Sequence, residues 1–306
     1  MGRAVLYGFH IFLLALFFYL VTVLSYFFYE VTLTSLLFFL SNMLFLIAFT
    51  AFLIDLAIPT VFFAKKRKLR YEPIKDMKIS VGMTAYNDEE PIGKAVRDFK
   101  KAADVVQVTV IDNNCTDNTA LEARRKGARV VEEKVQGFGS ACIRALKEAR
   151  KHGNLVCLVE GDCTFSASDL KKLTSYIENV DMVVGTRTTA EIVSSDSQVN
   201  WFMRYGNLFI AKLIQLRYWD QCRLTDVGCA YRVVRPEALD KIINQLSVTG
   251  NHFLVDLILV SLKNDLKVIE IPITFRKRVG ISKGVGSSFS KGMVTGLKMW
   301  RHILFT

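Results

Sequence analysis

Hydrophobic and polar positions divide this chain into two textures. Near the N-terminus, Ala4 to Phe28 and Thr34 to Leu53 contain no charged residue. Each run is long enough to cross the ~30 Å hydrocarbon layer as a helix. Only a short loop containing Glu30 separates them, so they predict a hairpin over 1–64, with spans at 4–28 and 34–57. A cleaved signal peptide fits poorly, because the first run is too long, has no Ala-x-Ala site and is followed at once by a second. Pro59 is expected to kink or end the second helix. His10 reads as a packed or interfacial histidine, and Asp55 as an interfacial carboxylate or part of a polar path.

From Lys78 onward, short apolar runs alternate with amphipathic stretches. Strands are predicted at 78–84, 106–112, 128–133, 154–160 and 180–186. Helices are predicted between them: 89–103 with Pro91 in its first turn, 117–127 closed by Gly127, 139–153 ended by Gly153, and 166–178 capped by Ser166 or Ser168. This alternation means an α/β layer with a mostly parallel sheet, in which ligands bind at the carboxyl ends of the strands. Those ends are unusual. They carry Thr84-Ala85-Tyr86-Asn87-Asp88, Asp112-Asn113, Gly137-Phe138-Gly139, Glu160-Gly161-Asp162 and Gly185-Thr186-Arg187. One acidic turn is ordinary, but several on one rim with an arginine beside them make a site.

Charge adds orientation and a partner. The net charge is +11. Arg3 precedes the first span, a basic linker at 65–77 opening with Lys65-Lys66-Arg67-Lys68 follows the second, and the loop between has no Lys or Arg. The positive-inside rule then predicts an integral membrane protein with both termini and the α/β domain in the cytosol. Basic excess here suggests an anionic bilayer, and no nucleic-acid motif appears. Six cysteines without Cys-x-x-Cys or zinc spacing fit a reduced compartment and carry no chemistry. After Glu270 no acid remains, and the tail at 284–306 interleaves Lys and Arg with Met293, Leu297, Trp300, Ile303 and Leu304 on one helical stripe. That stripe predicts an amphipathic interfacial helix; a terminal helix packed on the domain or on another subunit is the alternative. The apolar helix expected at 198–217 would border the acceptor entrance.

The segments "TAYNDEEPI", "VIDNNCTDNT", "VEGDCTF", "VVGTRT", "LTDVGCAYRVVR" and "RKRVGISK" occur in this order between Lys78 and Lys283. They resemble the inverting family 2 glycosyltransferases of GT-A fold, and among them the polyprenyl- and dolichol-phosphate sugar synthases. The chain departs from that pattern at Asp88, where the family has Glu, at Glu160 in Asp-x-Asp, and at Cys229-Ala230-Tyr231-Arg232. The resemblance implies a GT-A domain over 78–283, a nucleotide-diphosphate sugar donor, a polyprenyl or dolichyl phosphate acceptor, and Mg²⁺ or Mn²⁺. It gives Asp162 the direct metal role and Glu160 a neighbouring one. Alternation along the strand places these two side chains on one face, where hard oxygens suit a metal on a diphosphate. Asp88 and Asp112 would read base and ribose, and Ala85, Tyr86, Asn113 and Gly137 would complete the nucleotide pocket. A tight turn explains Gly137 and Gly139 equally well, and a helix cap explains Asp117. Arg187, Arg232, Arg278 and Lys283 would hold phosphates. A lipid phosphate, largely a dianion near neutrality, needs no strong base. A hydroxyl acceptor on a membrane glycolipid would need one, for which Asp226 is the candidate. A non-catalytic nucleotide-sugar scaffold is the third reading, and a homo-oligomer stays open.

Overall fold

The computed structural model describes residues 3–26, 31–62, 69–219, 221–280 and 288–306. The chain divides into two compact units, residues 1–68 with 213–220, and residues 69–212 with 221–306.

The first unit contains helices α1 (Arg3–Ser25) and α2 (Val31–Phe62). They pack along one another through Phe12 on Phe45 at 5.5 Å and Tyr19 on Phe38 at 6.4 Å. Gly8 permits the close approach, since a Cβ there would lie 3.1 Å from the Ala48 carbonyl oxygen. The Thr22 and Ser41 hydroxyls donate back to the carbonyls of Phe18 and Phe38, so they need no water. His10 Nδ1 hydrogen-bonds the Leu6 carbonyl, in keeping with a packed histidine. Ala4–Ser25 and Thr34–Ile54 are long and apolar enough to cross a membrane. Only 22% and 11% of these windows are buried, unlike the core helix of a soluble protein. Pro59 does not end α2, which continues to Phe62.

The second unit is built on seven strands: β1 (Ile79–Ala85), β2 (Val105–Asp112), β3 (Arg129–Glu132), β4 (Leu155–Glu160), β5 (Met182–Thr186), β6 (Arg232–Val234) and β7 (Val268–Pro272). Their order is β3-β2-β1-β4-β6-β5-β7. All neighbours are parallel except β6, which runs antiparallel to both β4 and β5. The first five strands stand where the apolar runs predict them. β1 and β5 are buried along their whole length and β4 up to Val159, because both faces of the sheet are covered there. The helices that accompany the strands are α3 (Glu89–Lys100), α4 (Thr119–Arg125), α5 (Phe138–Ala149), α6 (Leu170–Thr174), α8 (Pro236–Ile242) and α9 (Phe253–Lys263), while α7 (Trp201–Arg217) is divided between the units, its residues from Leu213 on belonging to the first. Before α6 comes a 3-10 turn over Ala167–Asp169, and the Ser166 hydroxyl meets that of Ser168 instead of capping an amide. Tyr231 is fully buried and forms edge contacts with Phe99 and Phe165, 5.7 and 5.5 Å between centroids.

The chain closes with α10 (Phe289–Phe305). Its expected single stripe is split. Ile303 is buried with Met299 and Thr295, and His302 Nε2 meets the Asp256 carboxylate of α9 at 2.7 Å. Met293 and Leu297 are exposed, together with Phe289 and Val294. One face thus packs on the domain and the other does not, because α10 carries more apolar positions than one helical stripe holds.

Candidate active site

Since β1, β2, β4, β5 and β7 run parallel, their carboxyl ends share one rim. At the end of β1, Ala85 is buried and Tyr86 exposed. The chain then turns through Asn87 at φ +51, a conformation that Asn tolerates better than most side chains. Asp88 follows, buried. Its Oδ2 accepts the Tyr86 amide at 3.1 Å, and its own amide donates to Thr119 Oγ1 at 2.8 Å. At the end of β2, Asp112 Oδ1 accepts the Cys115 amide at 2.9 Å and closes a turn. Asn113 donates to the carbonyls of Glu133 and Val135 and accepts from the Gly137 amide at 2.9 Å. It thereby ties this rim to the loop before α5. Asp117 accepts the Thr119 amide in the first turn of α4, which is the capping alternative.

Gly137 before α5 and Gly139 in its first turn are both required by packing. Gly137 stands at φ +145, and a Cβ there would lie 2.4 Å from the Thr249 carbonyl oxygen. At Gly139 the corresponding approach to the Val248 carbonyl oxygen is 2.1 Å. The tight-turn reading of these glycines therefore has a concrete cause.

At the end of β4 the carboxylates converge with an arginine from the segment after β7. Arg278 Nη2 donates to Asp88 Oδ1 at 2.9 Å, and Nη1 lies 3.0 Å from Asp162 Oδ2. Asp162 Oδ1 accepts the Thr164 amide at 3.1 Å and its hydroxyl at 2.5 Å. Burial works against the Arg278 charge, but Asp162, Asp88 and Glu160 outweigh it and hold its pKa above the ordinary value. Glu160 is pushed up to about 7 by burial and by the Asp162 charge, against the pull of Arg278 and Arg187. The buried Arg278 Nε–H has no partner among the described residues, so one donor is left over beside the carboxylates. No set of three or more His, Cys, Asp or Glu side chains is arranged to hold a metal among the described residues. Asp162 and Glu160 offer hard oxygens, and so short a donor set fits Mg²⁺ or Mn²⁺ taking its other ligands from phosphate and water. Lys283 lies outside the described residues.

Beyond β5, Arg187 is buried and forks onto Asp226. Nε donates to Oδ2 at 2.7 Å, Nη2 to Oδ1 at 2.9 Å, and the Arg187 amide also donates to Oδ2 at 3.1 Å. Phe275 lies under the guanidinium, 5.2 Å from its centroid. Burial opposes the Asp226 charge, yet Arg187 holds this carboxyl below the ordinary aspartate value. The Gly228 amide adds a further donor at 3.0 Å.

Arg232 stands elsewhere than expected. It is fully buried, and its guanidinium donates to the backbone carbonyls of Cys229, Leu254 and Val227 at 3.0, 2.9 and 3.1 Å. Burial pushes its pKa down to about 10. With its donors spent on carbonyls of the interior, Arg232 does not face a ligand on the rim. A phosphate-binding place for it is corrected to a structural one.

Glu270 on β7 had no sequence signal beyond being the last acid of the chain. It accepts from Thr225 and Asp226, and burial pushes it up to about 7. None of the six cysteines forms a disulfide, and burial raises even the half-buried Cys115 thiol to about 12. A cavity of about 570 Å³ lies between the end of α3 and residues 166–174, lined by Asp98, Lys101 and Arg276 and by none of the rim carboxylates.

A seven-stranded sheet in this order, with β6 reversed and carboxylates massed at the parallel ends, is the sheet of GT-A glycosyltransferases. The chain belongs to the glycosyl transferase family 2, whose model matches residues 80–243. A solved relative in fold is the glucosyl-3-phosphoglycerate synthase of Mycobacterium tuberculosis, in complex with Mn²⁺, uridine diphosphate and phosphoglyceric acid. It superposes with a TM-score of 0.57 at 16% identity, over 75% of this chain and 79% of that one. A low-salt glycan biosynthesis hexosyltransferase of Haloferax volcanii is 28% identical over 232 residues, 74% of this chain and 52% of the relative. The chain therefore spans about half the length of that protein. A dolichyl-phosphate hexose transferase of the same organism is 28% identical over 207 residues, 67% of this chain and 86% of that one.

Proposed function

We propose that the chain is a membrane-anchored, inverting glycosyltransferase that moves a hexose from a nucleoside-diphosphate sugar to a polyprenyl or dolichyl phosphate. The relative named for dolichyl-phosphate hexose transfer supports this acceptor class. The observation that carries it is the state of Asp226. Its carboxylate is engaged by Arg187 and Gly228 and is held below its ordinary pKa, which makes it a weak base. A hydroxyl acceptor must lose a proton as it attacks. A phosphate dianion need not, so a weakly basic Asp226 suits a phosphate.

In this reading the donor diphosphate lies over the Asp88, Glu160 and Asp162 rim. Asp162, with Glu160 beside it, would hold a divalent ion, which supplies charge stabilisation to the departing nucleoside diphosphate. Arg278, with its Nη atoms on Asp88 and Asp162, sets a positive charge beside the same phosphates. Arg187 uses two of its five N–H donors on Asp226 through Nε and Nη2, leaving the rest for the acceptor phosphate. Asp226 keeps that fork oriented and charged. Asp88, Asp112, Asn113, Tyr86 and Ala85 frame the nucleoside. Arg232 holds the loop before β6 to α9 from inside.

The membrane parts serve the acceptor. The positive-inside rule places the domain and both termini in the cytosol. The exposed face of α10, with Lys291, Lys298 and Arg301 exposed alongside, supports contact with an anionic leaflet. The outer half of α7, with Trp201, Tyr205 and Phe209 exposed, would border the lipid entrance.

Product analysis tests the proposal. The full chain is incubated with a panel of nucleotide sugars, Mg²⁺ or Mn²⁺, and polyprenol either phosphorylated or free. Sugar should appear on the phosphorylated lipid alone. Transfer to the unphosphorylated lipid at a comparable rate would replace this reading with the hydroxyl-acceptor one.

A further inference from the structure

Glu270 holds the loop carrying Asp226 at the Thr225 and Asp226 amides themselves. This residue pairs with Val184 of β5 across the sheet, so it stands beside the strand that leads to Arg187. Both of its oxygens are used. Oε2 accepts the Thr225 amide at 2.7 Å and the Thr225 hydroxyl at 2.6 Å, while Oε1 accepts the Asp226 amide at 2.7 Å. Two successive backbone N–H groups thus converge on one carboxylate, as they do in anion-binding nests. The Thr225 hydroxyl also contacts those of Thr186 and Thr188, at 3.1 and 2.9 Å, and these two residues flank Arg187. Asp226 completes the chain by taking the Arg187 fork.

We infer that Glu270 is a positioning residue for acceptor use: it fixes the Thr225–Asp226 peptide, and through Asp226 it sets the direction of the Arg187 guanidinium. This rests on the reading of Arg187 as the acceptor-phosphate ligand. Glu270 touches no reacting atom itself, and its effect passes through the pair. Every group it meets along this peptide is a donor, so the charged carboxylate is the form that holds the peptide, and that form predominates above a pH of about 7. Glutamine has the same shape but turns an NH₂ group toward one of the two amides, where donor meets donor. Glu270→Gln is therefore a nearly isosteric change that removes the holding function and keeps the volume.

The test uses the full chain in detergent with a nucleotide sugar and polyprenyl phosphate. Glu270→Gln should lower kcat/KM for the lipid phosphate roughly tenfold to a hundredfold. Affinity for the nucleoside diphosphate with metal, read by calorimetry, should stay within about twofold. In an Arg187→Ala background, Glu270→Gln should add less than about a twofold further loss, because the group it positions is gone. Full additivity with Arg187→Ala, or equal loss of donor affinity, would overturn the inference by showing a general structural role. A second arm does not depend on the reaction. Amide hydrogen exchange at Thr225 and Asp226 should speed up at least about tenfold in Glu270→Gln, with β1 and β4 unchanged. If the wild type glycosylates no lipid phosphate, the proposed function fails on its own, and unchanged exchange at these two amides separately overturns the positioning of the loop.

Discussion

Buried Arg187 and Arg232 and part-buried Arg278 have different partners, and those partners decide their roles. Arg278 lies on Asp88 and Asp162, Arg187 on Asp226, and Arg232 on three carbonyls. Asp162→Asn removes a negative charge from the donor rim without emptying the core. Transfer should fall at least about a hundredfold, with the unfolding midpoint little changed. Near-normal transfer and an unaltered Mn²⁺ response in that variant would remove Asp162 from the metal site. Arg232→Ala should behave in the opposite way. It strands three buried carbonyls and leaves a cavity, so it should cost on the order of 2–5 kcal/mol of stability. Denaturant unfolding beside acceptor kinetics separates these outcomes. Glu270 makes stability depend on pH. Its folded pKa of about 7 lies above the ordinary value of 4.5, so between these values the folded state holds a proton that the unfolded state releases. Stability should therefore fall as pH rises from about 4.5 to 7, with Glu270→Gln flattening part of that slope. The share removed is on the order of 2–3 kcal/mol. Glu160 titrates over the same window with the same sign, so some slope should persist.

Among elements, α10 is the one whose pattern admits two surfaces. Met299 and Ile303 are buried on one face, against the domain. Met293 and Leu297 lie on the other face, exposed beside Lys291 and Lys298. Met293→Glu with Leu297→Glu should leave stability within about 0.5 kcal/mol, as surface changes do. It should lower activity on long-chain polyprenyl phosphate in anionic vesicles severalfold and leave activity on a short, water-soluble acceptor unchanged. Equal effects on both acceptors would take α10 off the membrane surface.

For the molecule as a whole, two units in one chain imply a division of labour. The first unit holds the two uncharged runs, Ala4 to Phe28 and Thr34 to Leu53, while the sheet unit carries every rim carboxylate described above. Deleting residues 1–64 should leave a folded protein that binds the nucleoside diphosphate with metal. Its transfer to a long-chain acceptor should drop much more than its transfer to a soluble analogue, because only the former is concentrated by sharing a bilayer. Loss of nucleotide binding on deletion, measured by calorimetry, would show that the hairpin belongs to the fold of the sheet unit.

The sequence by itself determined the hairpin, the first five strands and which carboxylates stand on the rim. Uncharged runs of membrane length have few other solutions, and in a parallel sheet the end of every apolar run falls on the same edge. The strands β6 and β7 were not legible in this way. Three residues of β6 carry no periodicity, and its reversed direction is set by pairing with β4 and β5, which are remote in sequence. That reversal explains the arginines. Reading along the chain, Arg187 and Arg232 look alike, each at the edge of an apolar run. Arg187 leaves a parallel strand at the rim, whereas Arg232 enters an interior strand between two neighbours and is drawn onto the carbonyls of its own loop and of α9. Glu270 was silent for the same reason. Its partners lie 44 and 45 residues away, and only the closing of the sheet brings its carboxylate under the loop that holds Asp226.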